Sequence, residues 1–459
     1  MPEMKPPWAG TSSPLADNDR GDDWIRNRDV ECASPTDQRS LAAHAWQRQR
    51  SYVADRSAFY RRKLAGAANL ADLEFDDLSR LPLTEKSELQ DTQSRATAFG
   101  DHLAAAEGEI ARVYKTSGTT GSPTRVALTP RDLATWLTVG SRTYRAASVR
   151  PHNSVVSIFG AQPFVVGYTY DVIRHLGARV EHTGPLSTAD VVSALREGTA
   201  DTLLATPSFM LHLTAHLGAR SIDPRRLNLI HAVVGGEPGG ALPAVRTLIE
   251  SSFGAALTEV MGLGDIAPSL FGECPAQMGM HFAGQGLVWP ELIDDHGNPV
   301  AIEAGASGEM VYTHLQREAM PLIRFRSGDH VRILTTGCPC GRTSFTMRVK
   351  GRTDDMFIVR GVNVYPSAVQ AIVAGFTPEV TGRIRVVVPD GAVNIEPPVQ
   401  IVAELRSDSP PIPGLADRIS DALRTHLRFR SEVALVTHAA FGSAAYKTTA
   451  VTRPANGNS

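Results

Sequence analysis

From residue 154 to residue 253 the chain alternates short apolar or β-branched runs with amphipathic stretches: SVVSIFG (154–160), DVIRHLG (171–177), TLLATP (202–207), FMLHLTAHL (209–217), NLIHAVVGGEP (228–238) and AVRTLIESSF (244–253). Strand and helix in alternation predict an α/β fold with a parallel, doubly wound core. The texture then changes twice. Residues 286–300, 308–315 and 321–334 are strand-rich, with a hairpin turn at His296-Gly297-Asn298, and predict a β subdomain capping that core. After Gly351 the segments 356–376, 382–390, 399–406 and 414–430 read as one small α+β unit. A polar joint, Gly351-Arg352-Thr353-Asp354-Asp355, separates it from what precedes. Near the start, residues 41–63 (LAAHAWQRQRSYVADRSAFYRRK) have helical periodicity with basic residues on the outer face, and predict a surface helix. At 459 residues, two or three units are expected. The expected boundaries are a flexible N-terminal segment 1–40, rich in Pro, Gly, Ser and Asp, a large domain 41–352 and a small C-terminal domain 353–459.

The stretch ARVYKTSGTTGSPTRVALTP (111–130) raises the question of chemistry. Small hydroxyl side chains between Gly118 and Gly121 leave the backbone free to turn several N–H groups into one concavity, which suits an oligophosphate. It is not a Walker loop, since Pro123 stands where that pattern needs Gly-Lys. A polar turn between two strands has the same composition, and the residues alone leave both readings open.

A net charge of −2, with 46 basic and 48 acidic residues, gives no pull toward nucleic acid or an anionic membrane, so a small-molecule substrate is the default. No run of 18 apolar residues and no charged-then-apolar leader is found, and a cytoplasmic protein is expected. The 4 cysteines exclude a disulfide scaffold and fit a reducing compartment. Cys32 stands apart, whereas CPAQMGMH puts Cys274 before His281 and GCPCGR joins Cys338 to Cys340. Three thiols and an imidazole make the ligand set of a closed structural zinc site, although the spacing also suits unrelated loop residues.

Taken together, the loop, VVGGEP (233–238), MGLGD (261–265), RFRSGD (324–329), GRTDDMFIVRGVNVYP (351–366) and a lysine at 447 follow an order that resembles the acyl-adenylate-forming superfamily. Within it the chain resembles the phenylacetate-CoA ligase family, on SAFYRRKL (57–64), DLSRLPLTEKSEL (77–89), TSGTTGSPT (116–124), EAMPLIRFRSGD (318–329), CPCGRT (338–343) and GRTDDMFIVRGVNVYPSAV (351–369). The resemblance runs from about residue 58 to Lys447.

It implies a large N-terminal domain and a small mobile C-terminal one, and a ligase that uses ATP, Mg²⁺ and coenzyme A. A small carboxylic acid would be converted to acyl-AMP and then passed to a thiol. Thr116, Ser117, Gly118, Thr119, Thr120 and Gly121 would hold phosphate, Gly236, Glu237 and Pro238 would line the adenine, Asp329 would accept from the ribose hydroxyls and Arg352 would touch ribose or phosphate. Lys447 would follow the charge on the α-phosphate and Asp265 would serve the magnesium site. Asp354 would be the hinge of the mobile domain, with Arg360-Gly361-Val362 swinging in to line the thiol tunnel. The acyl pocket would be built from 159–170 and the edges of the adenine motifs, giving Phe159, Phe164, Tyr168, Gly235, Met261 and Gly262. Its aromatic side chains suit an aromatic or cyclic acid, and it lacks a carboxylate to pair an α-ammonium. The resemblance also brings Cys274, His281, Cys338 and Cys340 together as a structural Zn²⁺ site.

Two departures stand out. Ser122 replaces the family's usual lysine, with Arg125 the nearest substitute, and Gly264-Asp265 replaces Ser/Thr-Glu, so weaker phosphate and magnesium contacts are expected. Two other outcomes remain open: transfer of the acyl group to a carrier-protein phosphopantetheine or an amine, and a non-catalytic ligand-binding relative. A homodimer is compatible with the sequence.

Overall fold

The computed structural model describes residues 25–65, 69–95, 98–116, 124–159, 164–181, 187–389, 392, 394–406, 412–441 and 451–452. A hairpin of β1 (Arg112–Lys115) and β2 (Arg125–Leu128) comes first. There follow β3 (Ser154–Ser157), β4 (Arg179–Val180), β5 (Thr202–Ala205), β6 (His231–Val234) and β7 (Ala256–Leu263), which lie in the order β4-β3-β5-β6-β7 and pair in parallel. All of β3, β5 and β6 is buried, as strands covered on both faces must be. The helices between them start where the sequence offers caps. Thr206 accepts from the Phe209 N–H ahead of Pro207–Gly218, and Pro207 takes the first turn, where its missing N–H costs nothing.

The second half of β7 pairs antiparallel with β8 (Ala267–Glu273), and the sheet continues through β9 (Met280–Phe282), β10 (Val288–Ile293), β11 (Pro299–Val300), β12 (Ser307–His314), β13 (Phe325–Thr335) and β14 (Thr346–Arg352). The result is one 12-stranded sheet. The strand-rich region is therefore an extension of the parallel sheet rather than a separate cap, because β7 is long enough to pair with β6 by its first residues and with β8 by its last.

Beyond the sheet, β15 (Phe357–Val359) and β16 (Val362–Val364) form a hairpin, and β17 (Val380–Val387), β18 (Val399–Leu405), β19 (Ser431–Val436) and β20 (Val451–Thr452) form a sheet in the order β19-β18-β17-β20. Helices Pro366–Ala374 and Leu415–Leu427 cover it. Val369, Val373, Ile384, Ile401 and Leu423 close a core of its own. No helix among the described residues is long and apolar enough to cross a membrane.

The N-terminal region differs from expectation. The single helix predicted over 41–63 starts earlier, after the Ser34 cap, and is broken into Pro35–Arg56 and Ala58–Lys63. Ser57 makes the break by taking an extended conformation and accepting from the Tyr60 N–H, a choice that periodicity does not reveal. Residues 25–40, expected within the flexible segment, carry helix Arg28–Glu31 and the first turn of the next. They are held down by Glu31, whose Oε2 accepts from Arg342 Nε at 2.7 Å with each side chain only 2% exposed, while its carbonyl accepts from the Thr343 N–H. Removing one member of a buried ion pair costs about 3–5 kcal/mol. Glu31→Ala is expected to lower the unfolding free energy by about that amount in urea titrations; a loss typical of a surface pair, below about 1 kcal/mol, would show that the pair does not anchor the segment.

Candidate active site

The chain leaves β3 toward β4 on one side and returns to β5 on the other, so the strand order reverses between β3 and β5. In open α/β sheets the crevice at such a reversal, beyond the carboxyl ends of the strands, is where ligands bind. Phe159 follows β3, Thr206 and Ser208 follow β5, Gly235 to Pro238 follow β6, and Met261 and Gly262 lie in the last half of β7. A cavity of about 340 Å³ opens among Phe159, Ser208, the turn 235–238, Met261 and Gly262, and its lining also includes Asp329 on β13 and Arg352 on β14.

Close approach explains the small residues. A Cβ on Gly235 would come within 2.6 Å of the Val260 carbonyl oxygen, and one on Gly262 within 2.2 Å of the Pro268 carbonyl group. Side chains there would force β6, β7 and β8 apart. Past Gly236 the turn is fixed by Glu237, whose Oε1 accepts from the Ser208 N–H at 2.7 Å, in the first turn of helix Pro207–Gly218. A carboxylate suits that position, since helix N-termini present unsatisfied N–H groups.

Asp329 and Arg352 face each other across β13 and β14, with Arg352 Nη1 donating to Asp329 Oδ1 at 3.1 Å. The same guanidinium donates from Nε to Asp354 Oδ1 at 2.8 Å and from Nη2 to Oδ2 at 3.3 Å. One arginine thus joins the ribose candidate to the hinge candidate. Thr116 and Thr124, both buried, close the neck of the loop expected to hold phosphate: Thr116 N–H donates to the Thr124 carbonyl at 2.9 Å, and their hydroxyls lie 2.7 Å apart. Ser117, Gly118, Thr119, Thr120, Gly121 and Ser122 lie outside the described residues, as does Lys447.

Asp265 lines the cavity and accepts from Lys86 Nζ at 2.9 Å. Lys86, at the start of helix Lys86–Arg95, lay inside a family motif in the sequence without being singled out; its only signal was a cation in an otherwise acidic and polar run. The glycine before Asp265 also has a steric reason, because a Cβ on Gly264 would sit 3.0 Å from Val165 Cγ2 and 3.1 Å from Thr116 Cγ2.

Of the residues expected in the acyl pocket, Phe159, Gly235, Met261 and Gly262 line the cavity. Phe164 and Tyr168 are not among its walls. Phe164 pairs its backbone with Lys115, and Tyr168 is buried between Tyr114 and Trp136, its ring 5.5 Å from the Trp136 ring and its hydroxyl donating to the Leu133 carbonyl. An aromatic residue near a pocket segment is as suited to the core as to the pocket, and here the hydroxyl found a backbone acceptor inside. Val165, Val166, Tyr144 and Thr169 line the cavity instead.

Glu259, two residues before Met261 on β7, is a further cavity-lining group that went unnoticed. The lone carboxylate in ALTEVMGL was the available signal. Burial, and then the neighbouring Glu273, push its carboxyl up to about 7 against the pull of Arg246 and Arg348. Glu273 itself accepts from Arg246 Nη2 at 2.7 Å and from the Glu259 N–H at 3.2 Å.

Outside the cavity, one ligand atom each from Cys274, His281, Cys338 and Cys340 gathers within 4.8 Å. Cys274 follows β8, His281 lies in β9, and the two remaining cysteines sit on the turn between β13 and β14. The Cys340 Sγ is 3.5 Å from His281 Nε2, and its thiol is held low by the hydrogen bond from Cys274 and by His281. Buried His281 Nδ1 has no partner among the described residues. Three sulfurs and an imidazole, with one thiol already favoured as thiolate, fit a tetrahedral zinc ion.

No protein-family model matches the chain. It is 34% identical over 356 residues to the phenylacetate-coenzyme A ligase of Thermus thermophilus, covering 76% of this chain and 78% of that one. It is 31% identical over 355 residues to the phenylacetate-coenzyme A ligase of Escherichia coli K12, again covering 76% and 78%. Among solved structures, 2-hydroxyisobutyryl-CoA ligase with 2-HIB-AMP in the postadenylation state superposes with a TM-score of 0.86 at 24% identity, over 96% of this chain and 94% of that one. The same enzyme with 2-HIB-AMP and CoA in the thioesterification state gives 0.69 at 24% identity, over 95% and 94%.

The Glu259 shift has a signed consequence. Its folded value of about 7 lies above the ordinary 4.5, so between these two pH values the folded protein holds a proton that the unfolded chain has released. Raising the pH through that window therefore removes stability. Glu259→Gln is expected to flatten the decline in unfolding free energy between about pH 5 and 7; parallel pH profiles for variant and parent would mean that Glu259 ionises normally.

Proposed function

The chain belongs to the phenylacetate-coenzyme A ligase family, and from that premise we propose that it activates an aromatic or cyclic carboxylic acid with ATP and transfers the acyl group to coenzyme A. It is an AMP-forming acid-thiol ligase. The observation that carries the finer reading is the convergence on one cavity of Phe159, Gly235 and Met261 at the strand ends with Asp329 and Arg352 from β13 and β14.

The acid is ionised at neutral pH, its ordinary pKa being about 4, and attacks the α-phosphorus without a general base. A bond from carboxylate oxygen to phosphorus forms as the bond to pyrophosphate breaks. What the protein must supply is alignment and positive charge that follows the phosphorus oxygens. Lys447 is the proposed cation, and the segment 116–121 the proposed cradle. Gly236, Glu237 and Pro238 would line the adenine. Asp329 would accept from the ribose diol, and Arg352, already bonded to Asp329, would hold that carboxylate in place. Asp265, paired with Lys86, would hold magnesium, which when bound neutralises phosphate charge.

In the second half-reaction the coenzyme A thiol attacks the acyl carbonyl, the thioester C–S bond forms and AMP leaves. We assign the chain up to residue 352, the docked residues 25–40 included, to the catalytic domain and 353–459 to a lid that turns about Asp354. Support comes from the short Thr353–Asp355 joint between two separately cored units, and from the β15–β16 turn, where Arg360 and Gly361 take φ of 50° and 78° on an exposed tip. Cys274, His281, Cys338 and Cys340 would hold a structural zinc ion with no position left for water.

Pyrophosphate release from ATP, Mg²⁺ and a panel of acids, with and without coenzyme A, tests the reading; no pyrophosphate with any acid overturns it, and pyrophosphate without an acyl-CoA product redirects the acyl group to another acceptor. Lys447→Ala should reduce pyrophosphate release by about 10²- to 10³-fold yet still convert supplied acyl-adenylate to thioester. Release at the parent rate would remove Lys447 from the site. Metal analysis of protein purified without added metal should find about one zinc per chain, and Cys338→Ser should lose it together with thermal stability. Unchanged metal content in that variant would dissolve the proposed site.

A further inference from the structure

The cavity has one polar corner that neither half-reaction uses. Tyr144 and Thr169 both line it although each is only 3% exposed. The Tyr144 hydroxyl donates to Thr169 Oγ1 at 3.5 Å, beyond the range of a good O–H···O bond. Ser269 on β8 places a third buried hydroxyl beside Tyr144, although Ser269 itself is not among the cavity walls. Burial pushes the Tyr144 phenol up, so it stays neutral and able to donate.

Buried hydroxyls are nearly always paired, and a pocket meant for a bare hydrocarbon ring has no need of them. The corner also lies away from the phosphate end. Trp136 Nε1, on helix Pro130–Ala146, donates to the Ile266 carbonyl at 2.9 Å, next to Asp265. Tyr144 is eight residues further along the same helix, about 12 Å along its axis. A carboxylate near Thr116 and Asp265 would therefore send the remote side of an acid toward Tyr144, past the apolar Val165 and Val166.

Resting on the ligase reading, we propose that Tyr144 and Thr169, with Ser269 beside Tyr144, form a specificity subsite for a neutral hydrogen-bonding substituent, a hydroxyl or amino group, on the side of the acid remote from its carboxylate. Each of the three hydroxyls can both donate and accept, so either substituent finds partners. A charged substituent is disfavoured, since it would be buried there with no opposite charge among the three side chains to offset its lost hydration. A methyl group of the same size fills the corner and pairs with nothing, and a site built to hydrogen-bond a substituent discriminates strongly against an analogue that lacks it.

The experiment measures kcat/KM for pyrophosphate release with benzoate and phenylacetate derivatives carrying a hydroxyl, an amino or a methyl group at the 3- or 4-position. In the parent protein, the hydroxy or amino acid of at least one series should exceed its methyl counterpart by about 10-fold or more. Tyr144→Phe and, should that variant fold poorly, Thr169→Val should bring the ratio to within about 3-fold. Methyl acids used as well as hydroxy and amino acids, or a preference untouched by either variant, would overturn the subsite while leaving the ligase standing. Binding of the same acids, read as a shift in unfolding temperature, needs no turnover. A hydroxyl or amino preference in binding without pyrophosphate would sink the ligase reading and keep the subsite; equal binding of the methyl acids would sink the subsite.

Discussion

The double pairing of β7 is the constraint on which the site depends. Its first residues continue the parallel sheet from β6, and its last residues turn the sheet antiparallel through β8, with the register shifting between Met261 and Leu263. At that irregularity the backbone must pass close to its neighbours. Gly235 and Gly262 supply the room, against the Val260 and Pro268 carbonyl groups respectively. The same eight residues carry Glu259, Met261 and Gly262 to the cavity wall. Because every strand beyond β8 hangs on this junction, Asp329 and Arg352 reach the cavity only if β7 keeps both partners.

A second set of contacts ties the outer part of the sheet to the N-terminal helices. The β13–β14 turn carries Cys338 and Cys340, and two residues on, Arg342 is locked to Glu31 and donates from Nη1 to Cys340 Sγ at 3.7 Å. The Glu31 carbonyl accepts from Thr343, and Gln38 donates to the Thr343 hydroxyl at 2.8 Å. A charge-assisted contact to a thiolate strengthens as the sulfur gains negative charge. The cysteine cluster and the N-terminal segment are therefore physically coupled, although about 300 residues of chain separate Glu31 from Arg342.

Several charges at the cavity wall and just behind it are arranged in pairs. Lys86 with Asp265, Arg352 with Asp329 and Asp354, and Arg246 with Glu273 each neutralise within a few ångströms. Paired charges of this kind are already partly desolvated, so a polyanionic substrate exchanges one partner for another rather than stripping a hydrated ion. Glu259 is different, an acid beside another acid, raised toward neutrality by burial.

How much was legible follows from the range of each interaction. Alternating apolar runs determined the parallel strands and their helices, because side-chain periodicity and capping are local properties of a few residues. The order of motifs from 116 to 366, with the lysine at 447, determined the family, and the resemblance, where the spacing alone left unrelated loop residues open, brought together the four cysteine and histidine residues that gather within 4.8 Å. The continuity of the sheet, the helix break at Ser57 and the docking of residues 25–40 were decided only by tertiary structure. Each depends on partners far away in sequence: β8 for β7, and Arg342 for Glu31. Tyr168 and Tyr144 make the same point within the site. Both are aromatic residues near pocket segments, but Leu133 takes the hydroxyl of the first into the core, while the second is left facing Thr169 at the cavity wall. No local pattern distinguishes them, because what separates a core tyrosine from a pocket tyrosine is the acceptor that folding happens to bring to its hydroxyl.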